Sequence, residues 1–194
     1  MTRVLDILIA GGALALASPV LLVAAVAIRV ESPGPVIYRH PRVGRHGEPF
    51  ELWKLRTMVQ GAEGMGAGLY IEPGDARITR SGRLLRRFSL DELPNLVNVL
   101  RGELSIVGPR PTVAEQVDRY TPRQRRRLEV KPGITGWAQV HGRASLPWPE
   151  RIELDVWYVD HRSVLLDLRI LARTVRMLAS GRGLYSEELR QGWD

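Results

Sequence analysis

An apolar run over residues 4–28, interrupted only by Asp6 and Ser18, limits what this chain can fold into. A helix that crosses a bilayer needs about 20 consecutive apolar residues, so the run is long enough to enter a membrane. Ser18 is followed by Pro19 near the middle of the run. Because proline lacks an N–H and its ring clashes with the carbonyl four residues earlier, that of Ala15, we expect a kink there.

The kink leaves three interpretations of the segment. In the first, the helix enters the membrane, turns at Ser18-Pro19 and returns, with the Ser18 hydroxyl bonded to a freed carbonyl so that the backbone stays satisfied in lipid. The two arms, residues 4–17 and 20–28, would rise about 21 Å and about 14 Å at roughly 1.5 Å per residue. Neither arm alone crosses a hydrocarbon core of about 30 Å. A kinked helix that spans the bilayer completely is the second interpretation.

A secretory signal peptide is the third interpretation, since residues 15–18 (ALAS) imitate a small-residue cleavage site. Its flanks argue against it, because Arg3 is balanced by Asp6 and the segment after the supposed cut is as apolar as the one before it. A mature secreted chain rarely begins in that way.

Beyond the apolar run, the chain is basic and free of cysteine. Its 194 residues carry 28 Lys and Arg against 21 Asp and Glu, a net charge of +7 that implies an anionic partner. Nucleic acid, anionic lipid and phosphorylated substrates all qualify. The absence of cysteine removes disulfides, a thiol nucleophile and thiolate metal sites. The length suits a membrane element at residues 1–30 followed by one domain at residues 31–194.

The domain is predicted to be mostly α-helical with a small β-hairpin. Residues 36–40 and 50–55 alternate apolar and polar side chains around a turn that contains Gly44 and Gly47, a pattern typical of a hairpin. A loop follows over residues 60–76, and its glycines lack the flanking strand and helix of a dinucleotide site. Helices are predicted at residues 78–87, 90–101, 113–129, 148–160 and 164–180, with extended segments at 103–111 and 130–143.

Two adjacent carboxylates, Asp91 and Glu92, stand at the start of the predicted helix 90–101. Ser89 and Glu92 have the spacing of a capping box, so a structural role explains Glu92 and leaves Asp91 without one. The same helix N-terminus favours an ionised carboxylate, which can attack phosphorus or bind Mg²⁺. Both explanations stay open on these residues alone.

Residue types that bind phosphate flank the acids in sequence. Arginine suits bidentate phosphate contacts, and lysine acts as a point charge. Pro111 restricts Arg110 to extended conformations and Pro109 fixes the preceding turn, so this arginine is held stiffly enough for recognition. The candidates for substrate binding are Lys54, Arg56, Thr57, Arg86, Pro109, Arg110, Pro111 and Arg143.

Four motifs together resemble one family. They are KLRTM at residues 54–58, SLDELPNLVNVLRGELSIVGPRP at 89–111, KPGITGWAQVHGR at 131–143 and ELDVWYV at 153–159. With the Ser18-Pro19 helix they look like the monotopic phosphoglycosyl transferases, also called bacterial sugar transferases, in the family's order over residues 3–180. The chain resembles the minimal catalytic form of that family.

The resemblance implies a reaction. Members transfer a sugar-1-phosphate from a UDP-sugar to polyprenol (undecaprenyl) phosphate and release UMP, which is the first membrane step of glycoconjugate or exopolysaccharide assembly. By this resemblance Asp91 is the nucleophile that forms an aspartyl-phosphosugar intermediate, and Asp91 and Glu92 hold Mg²⁺. The positions that the resemblance links to phosphate handling are Lys54, Arg56, Arg86 and Arg143, and those linked to the nucleotide are Pro109, Arg110 and Pro111.

The resemblance also implies a location, the cytoplasmic face of the bacterial inner membrane, with a helix made re-entrant by Ser18-Pro19. From composition, residues 164–179 suit an interfacial amphipathic helix, because leucines alternate there with three arginines. Residues 123–127 (RQRRR) suit contact with anionic lipid headgroups. An ordinary core helix and a solvated face are the alternatives for these two segments.

Two rival functions stay open. A direct transfer would use Asp91 as a general base for the polyprenol phosphate, without a covalent intermediate. A membrane-tethered protein that binds anions without chemistry is the other rival. Nucleic acid is not expected as a partner, because residues 123–127 contain no aromatic side chain and no standard nucleic-acid motif appears. A homodimer stays open, and none of the four histidines is assigned to a metal.

Overall fold

The structure, a computed structural model, describes residues 2–65, 74–142 and 146–180, with side chains of the last helix described through residue 177. A long helix, α1 (Arg3–Glu31), precedes a hairpin of β1 (Ile37–Val43) and β2 (Pro49–Leu55). The elements that follow are α2 (Arg80–Arg87), α3 (Asn95–Arg101), β3 (Ser105–Val107), α4 (Ala114–Val117), α5 (Pro122–Arg125), β4 (Gly133–Thr135), α6 (Trp137–His141), α7 (Trp148–His161) and α8 (Val164–Ser180). This mostly helical architecture with a small hairpin is the predicted one.

The hairpin confirms its prediction in strand order and turn. β1 and β2 are antiparallel, with Ile37 opposite Leu55 and Val43 opposite Pro49. The turn contains a left-handed glycine, Gly47, with φ of 88°, a conformation that glycine adopts without strain. The predicted loop at residues 60–76 contains one described 3-10 turn, Ala62–Gly64, and its residues 66–73 lie outside the described ones.

Two predicted elements are wrong in their extent. The helix expected over residues 113–129 is divided into α4, α5 and a 3-10 turn at Arg126–Glu129. The division has a local cause, because Thr121 forms a capping box with Gln124 and Pro122 takes the first helical position, which starts a new helix. The segment expected to be extended over residues 130–143 contains β4 and then α6.

β3 and β4 form a second, parallel pair whose glycines permit an unusually close backbone approach. A Cβ atom added to Gly133 would lie 2.1 Å from the Gly108 nitrogen, and one added to Gly136 would lie 2.1 Å from the Gly108 oxygen. The approach is fastened by a hydrogen bond of 2.8 Å from the Gly133 N–H to the Pro109 carbonyl. The chain after β3 is therefore held tightly against β4.

α1 is the helix of the described chain that is long and apolar enough to cross a membrane by length and composition. It runs unbroken through Pro19, so the two predicted arms belong to one helix. The Ser18 hydroxyl donates to the Ala15 carbonyl at 2.8 Å, which confirms the predicted bond to the carbonyl that Pro19 leaves without an N–H. Large exposed apolar side chains on α1 include Val4, Leu8, Leu16, Leu22, Val23, Val26 and Val30.

Both halves of α1 pack against the same domain. Ala10 lies in the main core cluster with Val99, and Ala24 lies in a second cluster with Leu55 and Leu85. The apolar surface between and around these contacts stays outside the protein core. An exposed apolar surface of this extent is typical of a membrane or protein contact.

Polar groups fasten the two ends of α1. Near the N-terminus, the buried Asp6 carboxylate accepts bonds of 2.9 Å from the Ser105 hydroxyl and from the Ile106 N–H. Near the C-terminus, the Glu31 carboxylate accepts from the N–H groups of Arg80 and Ser81, at 2.5 Å and 2.8 Å. Both ends of this apolar helix are therefore fastened to the same domain.

Candidate active site

The two adjacent carboxylates lie on a 3-10 turn, Leu90–Glu92, between α2 and α3. The predicted capping box is wrong: the Ser89 side chain makes no cap hydrogen bond, its backbone is left-handed with φ of 54°, and α3 begins only at Asn95. Stabilisation by a helix N-terminus therefore does not account for this pair of acids. Their position has to be explained by the charges around them.

Glu92 is held by two cations from distant parts of the chain. Lys54 Nζ on β2 and Arg110 Nη2 after β3 each lie 2.8 Å from Glu92 Oε1. Burial works against ionisation of this carboxyl, but Arg110 and Lys54 outweigh it and hold the pKa of Glu92 well below its usual range. Glu92 is therefore an anion whose charge the protein already neutralises.

Asp91 is in a different state from its neighbour. Its carboxylate forms no ion pair or hydrogen bond with another side chain of the described residues. Burial and the negative charge of Glu92 raise the pKa of Asp91, while Lys54 and Arg86 oppose the rise. An unpaired, half-buried carboxylate among cations is available to react or to bind a cation.

Arg86 and Thr57 form a fixed pair beside Asp91. Arg86 Nε donates to the Thr57 hydroxyl at 2.8 Å, and Thr57 is buried at the end of β2. The prediction that these two residues share a site with the acids agrees with this geometry, because Arg86 is close enough to lower the pKa of Asp91. Whether they bind substrate stays a prediction.

Arg56 binds the end of α1 and forms no hydrogen bond or ion pair with the acids. The buried Arg56 guanidinium donates to the carbonyls of Ser32 and Pro33, at 2.6 Å and 2.5 Å, and so joins β2 to the end of α1. A substrate contact for Arg56 stays a prediction beside this structural one. Arg143 lies outside the described residues.

A buried ion pair between Arg127 and Asp155 supports the Pro109-Arg110-Pro111 segment. Arg127 Nη2 donates to the Arg110 carbonyl at 2.8 Å and pairs with Asp155 at 2.5 Å. Arg127 and Asp155 are 3% and 2% exposed, so this pair belongs to the protein interior. The stiffness predicted for Arg110 from its two prolines is thus reinforced by hydrogen bonds.

Residues 123–127 were predicted to contact lipid headgroups. Ion pairs within the protein reduce the positive charge that they can offer to lipid. Arg127 is buried, Arg123 pairs with Glu153, and Arg126 pairs with Asp160. The alternative for this cluster, a solvated face, fits Arg123 and Arg126, whose side chains reach solvent, and does not fit the buried Arg127. α8 buries Leu166 and Ile170 in the core and exposes Leu165 and Leu168, at 71% and 53%, so its interfacial position stays a prediction.

Two residues of the site were missed by sequence reasoning. Arg42 on β1 and Asn95 at the start of α3 line a pocket together with Glu92, Arg110 and Pro111. The alternation of β1 contained a signal for Arg42, because residues two apart on a strand share a face. Asn95 had no such signal, since it follows the acids in a segment that was expected to be regular helix.

Comparison with known proteins agrees with the motifs. A model of the bacterial sugar transferase family matches residues 1–181. The chain belongs to this family. It is 45% identical to the "Uncharacterized sugar transferase EpsL" of Bacillus subtilis (strain 168), over 95% of this chain and 90% of the relative.

Two further sugar transferases of the family have names that state substrates. The chain is 44% identical to the UDP-glucose:undecaprenyl-phosphate glucose-1-phosphate transferase of Caulobacter vibrioides, over 94% of this chain and 71% of the relative. It is 43% identical to the UDP-N-acetylgalactosamine-undecaprenyl-phosphate N-acetylgalactosaminephosphotransferase of Aeromonas hydrophila, over 93% of this chain and 44% of the relative. This bacterial sugar transferase thus spans less than half of the Aeromonas protein.

Proposed function

We propose that this protein transfers a sugar-1-phosphate from a UDP-sugar to a polyprenol phosphate, such as undecaprenyl phosphate, and releases UMP. The observation that carries the proposal is the contrast within the dyad. Glu92 is neutralised by Lys54 and Arg110, whereas the adjacent Asp91 carboxylate is unpaired and faces Arg86. The activities for which the Caulobacter and Aeromonas relatives are named support the same substrate classes.

The reaction we propose has two displacements at one phosphorus. An Asp91 carboxylate oxygen attacks the phosphorus that bears the sugar, the bond from that phosphorus to the UMP oxygen breaks, and UMP leaves. A phosphate oxygen of the polyprenol phosphate then attacks the same phosphorus. The bond to Asp91 breaks, which regenerates the carboxylate and yields a polyprenol-diphosphate sugar. A covalent step lets one site handle a soluble donor and a lipid acceptor in turn.

The cations of the site would stabilise the negative charge that develops on the phosphate during these displacements. Arg86 and Lys54 are both close enough to lower the pKa of Asp91, so they would stabilise the additional negative charge on the transferring phosphoryl group. We propose that Arg110, whose backbone carbonyl accepts a hydrogen bond from Arg127, binds a substrate phosphate. We propose that Glu92 acts as a positioning residue, which orders Lys54 and Arg110 around the nucleophile.

We further propose Mg²⁺ as the cofactor. The donor set fits, because Mg²⁺ is bound in proteins by one or two carboxylates together with substrate phosphates, and Asp91 and Glu92 are adjacent. These two residues would hold it, and the ion would neutralise negative charge on the diphosphate. Activity should be lost in excess EDTA and restored by added Mg²⁺. Full turnover in excess EDTA would remove the metal from the proposal.

For the membrane segment, we propose a re-entrant helix on the cytoplasmic face of the inner membrane. The support is that Asp6 and Glu31, near opposite ends of α1, both bind the same domain. The test introduces a cysteine at Thr2 in a chain that has none. A maleimide that does not cross the membrane should label it only after lysis, like a control cysteine at Arg125. Labelling at Thr2 from the periplasmic side of intact cells would contradict the proposal.

UMP release is the direct test of the proposed reaction. Purified protein is incubated with a panel of UDP-sugars, with and without undecaprenyl phosphate. One of the sugars should give a burst of UMP close to one per protein without the lipid, and steady turnover with it. A protein mass raised by one sugar phosphate should accompany the burst. UMP that appears only with the lipid, from a protein of unaltered mass, would favour direct transfer with Asp91 as general base.

A further inference from the structure

Arg42 is an arginine that the reaction proposed above does not use. It lies near the end of β1, on the same strand face as Tyr38 and His40. The next residue, Val43, donates its N–H to the Thr112 carbonyl at 2.8 Å, which fastens this end of the strand beside Pro109-Arg110-Pro111. The Arg42 side chain therefore lines the pocket that also contains Glu92 and Arg110.

Arg42 differs from the buried arginines of the described chain in having neither a counter-ion nor a carbonyl partner. Its Nε atom is buried without a hydrogen-bond partner, and the guanidinium makes no ion pair with any described residue. By comparison, Arg56 binds main-chain carbonyls, Arg77 binds Asp75, and Arg127 binds Asp155. An arginine that is buried in part and unpaired is costly unless an anion binds it.

The positive charge of Arg110, close to Arg42, strengthens the need for a bound anion. Burial and the like charge of Arg110 lower the pKa of Arg42 to about 10, and the charges of Tyr38, Glu92 and Glu115 offset this only in part. Glu92 is shared between Lys54 and Arg110 and cannot neutralise a third cation fully. Two guanidinium groups that line one pocket match an anion with several oxygens, which is the chemistry of a phosphate group.

A second unpaired polar atom lines the same pocket. The Asn95 Oδ1 atom is buried and has no hydrogen-bond partner, although Asn95 is only 4% exposed. Buried amide oxygens are normally paired, and an exception of this kind is expected where a ligand supplies the missing donor. Arg42 and Asn95 thus point independently to a ligand in one place.

We propose that Arg42 is a substrate-binding residue, which together with Arg110 binds a phosphate group of a substrate on the side of Glu92 away from Lys54. The phosphate belongs either to the nucleotide or to the polyprenol phosphate, and both present the same oxygens. The inference deepens the proposed function and rests on it for the identity of the substrates.

The experiment measures binding without turnover. UMP and undecaprenyl phosphate are titrated separately into the full-length protein in detergent, with the wild type, Arg42→Gln and Arg42→Lys. Arg39→Gln is the matched control. It removes the same charge from the same strand, at a residue whose side chain is exposed. A lost charge-assisted hydrogen bond should weaken binding of one of the two ligands by about 10- to 100-fold.

The variant pattern decides between the sources and tests the inference. Weaker UMP binding by Arg42→Gln assigns the pocket to the nucleotide, and weaker lipid binding assigns it to the acceptor. Arg42→Lys should fall in between, because it keeps the charge and loses the bidentate fork, and a melting temperature near that of the wild type shows that each variant is folded. If Arg42→Gln and Arg42→Lys bind both ligands as the wild type does, the inference is wrong and the proposed function stands. If the wild type binds neither ligand, both are wrong.

Discussion

Two groups of arginines look alike in the sequence and differ in the structure. In the region of residues 122–129 and α7, which we call the support layer, Arg123, Arg126 and Arg127 each have a carboxylate partner. Around the dyad, Arg110 pairs with Glu92, whereas Arg42 and Arg86 have no carboxylate partner among the described residues. The support layer is balanced in charge, and the site has an excess of positive charge.

The difference teaches how to find a phosphate site in a basic chain. A run of arginines such as residues 123–127 is neutralised when acids face it, and its charges then contribute to folding. Positive charge that the protein leaves unpaired near a reactive carboxylate is available for a substrate that brings the missing anions. Substitutions in the two regions should therefore have opposite consequences, for activity in one and for stability in the other.

The largest expected effect is on activity, from Asp91→Asn. The change keeps the shape of the side chain and removes the anionic nucleophile, so the UMP burst and the mass increase should both vanish. A lost general base typically lowers a rate by about 10²–10⁴, and a lost nucleophile should lower it further. The melting temperature should stay within a few degrees of the wild type, because Asp91 contributes no ion pair to the fold. An unaltered burst would show that another group accepts the phosphosugar.

Next comes Arg127→Met in the support layer, whose main effect is on stability. It leaves the buried Asp155 unpaired, and breaking a buried pair from one side costs about 3–5 kcal/mol. Chemical denaturation with urea measures the loss. The matched double variant, Arg127→Met with Asp155→Leu, should recover most of it, since no charge is then left buried. Equal instability of the single and double variants would contradict this explanation.

A smaller effect is expected on the pH dependence of the UMP burst. Asp91 attacks as an anion, so the burst is lost as the pH falls through the raised pKa of Asp91, above the usual range of aspartate. Lys54 opposes this rise, and Lys54→Gln should therefore move the acid limb to still higher pH. Arg39→Gln removes a cation elsewhere on the hairpin and should leave the limb unchanged. A limb that Lys54→Gln moves to lower pH would contradict the proposed charge balance.

The smallest effect should come from Arg123→Gln. Its partner is Glu153, and both side chains are exposed, so the pair contributes little to stability in water. Neither the melting temperature nor the UMP burst should change measurably. A clear loss of activity would show that the support layer reaches the substrate through this exposed arginine.

Local signals allowed much of the fold to be predicted. Alternation and turn glycines identified the hairpin, and period and length identified α7 and α8. The division of residues 113–129 was missed although Thr121, Pro122 and Gln124 contained its signal. α6 is only five residues long, too short for periodicity to reveal.

The site was predictable only in part, because its contacts are distant in sequence. Lys54 and Glu92 are 38 residues apart and no local pattern joins them, so the resemblance of motifs assigned both to one site but did not predict their ion pair. Arg123 forms an exposed ion pair and Arg127 a buried one. The difference depends on which acid of α7 lies opposite each arginine, and composition does not show this. Unpaired polar atoms such as Arg42 Nε become visible only when all neighbours are placed.

The hydrogen bonds of Asp6 have a consequence for the order of events during synthesis. Ser105 and Ile106, the partners of Asp6, follow it by 99 and 100 residues. At about 5–20 residues per second, a ribosome needs roughly 5–20 s to make that interval. During this time the N-terminal helix exists with a carboxylate that has no permanent partner. In the membrane location proposed above, the helix would therefore meet the lipid before the residues that fasten Asp6 to the domain have been made.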